Sequence, residues 1–190
     1  EAGTYLFAAA ATRGSITLTN VEPFHMDAVL DKLIQSGHTI ATGKDWVRLK
    51  ATRTPQPFNI EAREYPGFVT DLQPVAAAYL ATVNGTSVVS DRVYPDRFTH
   101  ASELARMGAE VMLKERTLMI QGRPLTGAAV EARDIRAGGG LIVAALAAEG
   151  ESHIAGMQYI ERGYDDIESR LRSLGAQVGV QVPELALAAD

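Results

Sequence analysis

The chain of 190 residues carries 18 Lys and Arg against 23 Asp and Glu, a formal charge of −5, with 46% hydrophobic and 22% charged residues and no cysteine. That length holds one domain, or at most two small ones, around a proper core, and the balance is that of a globular chain rather than a disordered one. The acidic balance removes the electrostatic reason to expect nucleic acid, because duplex binding rests on clustered Lys and Arg; without cysteine there is no disulfide, thiolate metal site or cysteine nucleophile within this chain.

The opening "EAGTYLFAAAATRG" has an apolar run like a signal-peptide core, yet it starts with Glu1 and lacks a basic leader, so it reads as a helix of the fold. The longest apolar run, "GGGLIVAALAA", is about half of what a membrane span needs, so no membrane insertion is expected. A cysteine-free chain of this kind suits a reducing cytoplasm, the expected location.

Three segments share one layout: a small-residue apolar helix ending in Gly, a strand, an amphipathic helix ending in Gly, and another strand. Gly14 and Gly37 lie 37 − 14 = 23 positions apart, Gly85 and Gly108 lie 108 − 85 = 23 apart, and Gly150 and Gly175 lie 175 − 150 = 25 apart. Each follows an apolar helical pattern and precedes a β-rich run, where a left-handed C-cap residue is wanted. The first helices ("LFAAAAT", "VAAAYLATV", "LIVAALAA") are apolar nearly all round and should be buried. The second ("AVLDKLIQS", "ASELARM", "IESRLRSL") carry charges on one side. Strands such as "SITLTNV", "DWVRLKA" and "TLMIQG" alternate apolar and polar residues, so one sheet face should meet water.

The implied architecture is an α/β fold of three βαβαββ-type units, roughly 1–57, 58–126 and 127–190, around a pseudo-threefold axis, with helices inside and sheets outside. Two units begin with matching strands, "FNIEARE" and "AAVEARD"; the first has no such strand, which suggests a piece of a longer protein.

The starts of the buried helices should converge on one end, where unpaired N–H groups and partial positive charge favour anions. Asp71 and Asp134 each precede such a helix, where an acid is ordinarily a cap, without excluding a second role. Arg136 lies in the first turn of its helix, and Arg97 and Arg162 lie just before second helices. Cations at helix starts oppose the macrodipole, so three at related positions suggest either ordinary ion pairs or a shared anionic ligand. His25, His38, His100 and His153 show no metal-ligand spacing and read as structural or surface residues. Trp46 reads as a strand residue. The glycines of "AGGGL" lack a dinucleotide fingerprint and read as close-packing positions.

The segments "EYPGFVTDLQ", "VYPDRFTHASELARMGAEV", "EARDIRAGGGLIVAALAAEG" and "IERGYDDIESRLRSLGA" together resemble the UDP-N-acetylglucosamine 1-carboxyvinyltransferases of the enolpyruvyl transferase family, across essentially the whole chain. The resemblance implies one of two lobes, each an inside-out α/β barrel of three repeats, with the active site in the cleft between them. It implies transfer of the enolpyruvyl group of phosphoenolpyruvate to the 3-hydroxyl of UDP-N-acetylglucosamine through a tetrahedral intermediate, with release of phosphate, at the committing step of peptidoglycan synthesis. No cofactor or metal is implied. By motif, Asp71 would orient the 3-hydroxyl and act as general base, and Thr70 would line the sugar pocket. The backbone at Val93 would bond the sugar nucleotide. Arg97, Arg136 and Arg162 would surround the phosphoenolpyruvate and phosphate, with Arg162 counted among the catalytic groups, and Asp134 would stand beside them.

The family's other lobe, with its mobile loop and further basic groups, has no counterpart in these residues. The chain alone is therefore expected to be inactive, its missing partner being that lobe. Pro95-Asp96, Thr99 and Val69 depart from the common family pattern. The alternatives are a non-catalytic binding or assembly module of the same fold, and an enolpyruvyl transferase with another acceptor such as shikimate 3-phosphate.

Overall fold

The structure, a computed structural model, describes residues 1–179. The chain opens with helix α1 (Ala2–Ala11), strand β1 (Ser15–Thr19), helix α2 (Asp27–Gln35), and strands β2 (Thr39–Thr42) and β3 (Trp46–Lys50). It continues through β4 (Ile60–Ala62), α3 (Gln73–Ala81), β5 (Gly85–Asp91), α4 (His100–Arg106), β6 (Glu110–Lys114) and β7 (Thr117–Gly122). Then come β8 (Ala129–Glu131), α5 (Ile135–Ala147), β9 (His153–Ala155) and two short helices, α6 (Met157–Ile160) and α7 (Ile167–Ser173). The last stretch of the third expected unit, residues 180–190, lies outside the described residues.

Among the described residues the strands form three sheets, ordered β1-β3-β2, β4-β5-β7-β6 and β8-β9. β3 runs antiparallel to both neighbours, β4 lies parallel to β5, and β8 lies parallel to β9. Burial alternates along β3, β5 and β7, so one face of each strand joins the core and the other meets solvent.

Helices α1, α3 and α5 pack on one another and supply most of the centre. All nine residues of α3 are buried, as an all-round apolar helix requires. Small residues set the spacing: a Cβ at Gly140 would stand 2.7 Å from the Pro74 carbonyl oxygen, so the α5 backbone rests directly on the start of α3. The amphipathic helices bury one stripe each, Val29, Leu30 and Leu33 on α2 and Ile167 and Leu171 on α7.

Of the six register glycines, Gly37, Gly85, Gly108, Gly150 and Gly175 take positive φ, as the expected left-handed positions demand. Gly14 does not; the left-handed residue after α1 is Arg13, at φ 58°. Its guanidinium compensates by donating to the Ala10 carbonyl at 2.8 Å and the Ala11 carbonyl at 3.3 Å, satisfying helix-end acceptors that sequence spacing alone assigned to a glycine cap.

Candidate active site

Asp71 sits at the end of the Tyr65-Pro66-Gly67 loop. Buried Phe68 pins that loop, its carbonyl accepting from Arg63 N at 2.9 Å. The carboxylate lies in a 3₁₀ turn, Thr70–Leu72, that leads into α3, and it caps neither element. It faces two arginines instead. Arg97 donates from Nη1 to Asp71 Oδ1 at 2.8 Å, while Arg136 donates from Nε to Oδ1 at 3.1 Å and from Nη2 to Oδ2 at 3.2 Å. The cap reading is thus corrected for Asp71: neighbouring guanidinia hold it, where sequence alone left the cap open.

Asp134 is a true N-cap. Its Oδ1 accepts from the backbone N–H groups of Arg136 and Ala137, both at 2.9 Å, and its Oδ2 accepts from the Thr99 hydroxyl at 3.0 Å. Capping fixes the first turn of α5 and with it the place from which Arg136 reaches Asp71. The pairing joins the start of α5 to the start of α3, residues 65 positions apart in the chain.

Arg97 follows β5, and its side chain is only 14% exposed, against 39% for Arg136 and 56% for Asp71. Its guanidinium lies over the Tyr94 ring, 4.2 Å from the centroid, and its Nη1 also donates to Thr70 Oγ1 at 2.9 Å. Val93 lies in the same turn. Its N–H already donates to Asp91 Oδ1 at 2.9 Å, which leaves its carbonyl as the backbone group open to a further partner.

Arg162 is exposed and makes no ion pair among the described residues. Its turn is docked on the site by its neighbours: Gly163 lies so close to Ile135 that a Cβ would overlap that side chain, and buried Tyr164 meets Thr4 of α1 through hydroxyls 2.9 Å apart.

Partial burial pushes the Asp71 carboxyl up, but the hydrogen bond and charge of Arg136, followed by those of Arg97, outweigh it and hold the group below its ordinary value. The hydrogen bond to Asp71 leads the causes that raise Arg136. Asp71 is therefore an ionised acceptor whose basicity is restrained while both arginines hold it. The charges of Arg97 and Arg136 are offset by that of Asp71, and Asp134 also acts on Arg136.

Sequence reasoning missed Asp91, Tyr94, Thr99 and Tyr164. For Asp91 a signal existed in its place between the strand-like run "TSVVS" and the turn before Pro95, where an Asp side chain commonly accepts from the backbone of the turn. Among the described residues no group of His, Asp and Glu could hold a metal ion, and no helix is long and apolar enough to cross a membrane.

Residues 1–171 match the family model described as EPSP synthase (3-phosphoshikimate 1-carboxyvinyltransferase). The whole chain is 63% identical over 190 residues to the UDP-N-acetylglucosamine 1-carboxyvinyltransferase of Thermus thermophilus, covering 45% of that protein. It is 45% identical over 179 residues to the protein of the same name from Desulfofundulus thermocisternus, covering 94% of this chain and 74% of that one. The crystal structure of the enolpyruvyl transferase NikO from Streptomyces tendae superposes with a TM-score of 0.83 at 25% identity, over 93% of this chain and 42% of its own. The chain thus spans less than half the length of the Thermus relative that it matches end to end. With the α/β fold, the helix-start cluster of acids and arginines and these likenesses in agreement, the chain belongs to the EPSP synthase family of enolpyruvyl transferases.

Proposed function

We propose that this chain forms part of an enzyme that transfers the enolpyruvyl group of phosphoenolpyruvate to the 3-hydroxyl of UDP-N-acetylglucosamine, releasing phosphate, as the first committed step of peptidoglycan synthesis in the cytoplasm. The observation that carries this reading is the bonding of Asp71 by Arg97 and Arg136, which places an ionised acceptor beside two anion-binding forks. A sugar hydroxyl donating to Asp71 would be oriented there, and its proton would pass to the carboxylate as its oxygen bonds to C2 of phosphoenolpyruvate and C3 takes up a proton; cleavage of the C2–O bond to phosphate with loss of a C3 proton would then restore the double bond. An incoming carboxylate or phosphate would compete with Asp71 for the guanidinia. As the ligand engages them, the restraint on Asp71 would relax and its basicity would rise. Arg97, Arg136 and Arg162 would then stabilise the charge that develops as phosphate leaves. Thr70, Asp134 and the Val93 carbonyl complete the substrate side.

The element order supports reading the architecture as one lobe, an inside-out barrel of three repeated units, roughly 1–57, 58–126 and 127–190. β4-α3-β5-α4-β6-β7 spells one whole unit, and the three buried helices pack on one another. Transition-state stabilisation would draw on groups from the second lobe, so the chain alone should be inactive. The test is phosphate release from phosphoenolpyruvate and UDP-N-acetylglucosamine by the chain alone and after mixing with the complementary lobe of a family member. Activity only in the mixture, lost by 10²-fold or more on Asp71→Asn, is the expected result on the scale of general-base removal. Full turnover by that variant would refute the role given to Asp71, whereas silence of the folded parent in the mixture would favour the module reading.

A further inference from the structure

Asp91 ends β5 with 2% of its surface exposed, and its carboxylate is fully engaged. Oδ1 accepts from the N–H groups of Val93 at 2.9 Å and Tyr94 at 2.7 Å, and Oδ2 accepts from the Thr70 hydroxyl at 2.5 Å. Because Thr70 gives its proton to Asp91, its oxygen can face Arg97 only as an acceptor, and Arg97 Nη1 donates to it at 2.9 Å. Tyr94, whose backbone Asp91 holds, also lies beneath the Arg97 guanidinium. Both supports of Arg97 apart from Asp71 itself thus run back to one buried carboxylate. Arg136 has no such bracing: its side-chain hydrogen bonds among the described residues all go to Asp71.

We infer that Asp91 is a positioning residue of the proposed transfer site, fixing the proton direction of Thr70 and the turn at Tyr94 so that Arg97 is held in place for an anionic ligand while Arg136 remains the arginine that moves. The inference rests on reading the cluster as a transferase site. Asp91 touches no substrate in this scheme; it acts through Thr70, Tyr94 and Arg97.

Asp91→Asn separates this role from folding. The amide oxygen can still accept from the two backbone N–H groups, which fixes its orientation and turns the NH₂ group toward Thr70. Thr70 must then accept from that amide and point its own proton elsewhere, so its oxygen is no longer polarised by donating to a carboxylate and its bond to Arg97 weakens. Thr70→Val breaks the same link from the other side while leaving the turn intact.

The experiment records the Arg97 guanidinium signals by ¹⁵N NMR in the 190-residue chain during titration with inorganic phosphate. It compares the parent, each single variant and the double variant, with melting curves to verify folding. Both single variants should broaden or shift the Arg97 signals and weaken phosphate binding by about tenfold, the effect of losing one charge-assisted hydrogen bond. The double variant should be no worse than either single one. Unchanged Arg97 signals and phosphate affinity in folded Asp91→Asn overturn the inference, as do effects that simply add in the double variant. In the two-lobe phosphate-release assay, inactive Asp71→Asn beside Asp91→Asn with unaltered kcat and KM also overturns it and leaves the transferase reading standing. No phosphate release by the folded parent mixed with the second lobe removes the transferase reading, and with it the claim that Asp91 serves that reaction.

Discussion

Acid should unfold this protein partly through His38, and the structure fixes both sign and size. The ring is 4% exposed, its Nδ1 accepts from Thr52 N at 3.1 Å, and its Nε2 lies 2.7 Å from the Tyr79 hydroxyl. Tyr79 in turn lies 2.6 Å from Ser36 Oγ, which donates to the Gln56 carbonyl at 2.7 Å. Since Nδ1 takes the Thr52 N–H, the ring proton belongs on Nε2, Tyr79 donates onward to Ser36, and the chain closes only with neutral histidine. Burial, helped by the charge of Arg13, pushes His38 down to about 4 from 6.5. The unfolded chain binds its proton as pH falls through 6.5, whereas the folded chain does so only near 4. The stability from neutral His38 is therefore whole above 6.5 and lost between 6.5 and 4. Over that window the loss is about 3 kcal/mol, of which about 2.5 kcal/mol has gone by pH 4.5. Urea unfolding followed by circular dichroism at pH 7.5 and 4.5 measures this. His38→Gln should be less stable than the parent at pH 7.5 but should lose about 2.5 kcal/mol less on acidification. His100, also buried and pushed down to about 4, contributes its own acid loss to both proteins and cancels in the comparison. An equal acid loss in parent and variant would refute the reasoning.

Three further outcomes follow from the geometry. Asp71→Asn removes the anion that occupies Arg97 and Arg136, so calorimetry should show inorganic phosphate binding to the folded chain about tenfold more tightly; weaker binding would count against competition for the guanidinia. Asp134→Ala should cost about 1 kcal/mol in urea unfolding through loss of the α5 cap, whereas Asp71→Ala should carry no cap penalty because Asp71 caps nothing. Gly140→Ala should cost about 1–3 kcal/mol, because the added methyl meets the rigid Pro74 carbonyl; a melting temperature equal to the parent's would show that α3 and α5 can part without strain.

The sequence by itself determined what short-range physics controls. Periodicity gave the buried small-residue helices and half-buried strands. Glycines marked five left-handed positions, and Asp134 announced the cap of α5 because a cap acts on N–H groups only two and three residues away. The tertiary structure decided what depends on partners far along the chain. Arg13 took the left-handed place offered to Gly14, with its side chain also reaching the Thr82 carbonyl at 3.3 Å. Strand β7 came to lie between β5 and β6. Asp71, indistinguishable from a cap in the sequence, became an ion-pair centre because packing α5 onto α3 brings Arg136 to it, while the turn after β5 delivers Arg97. Asp91 gained its importance from Thr70, 21 residues away. Local patterns fix which groups a helix or turn can present, but a carboxylate's hydrogen bonds and charge environment are set by whatever folding brings within about 3 Å of it.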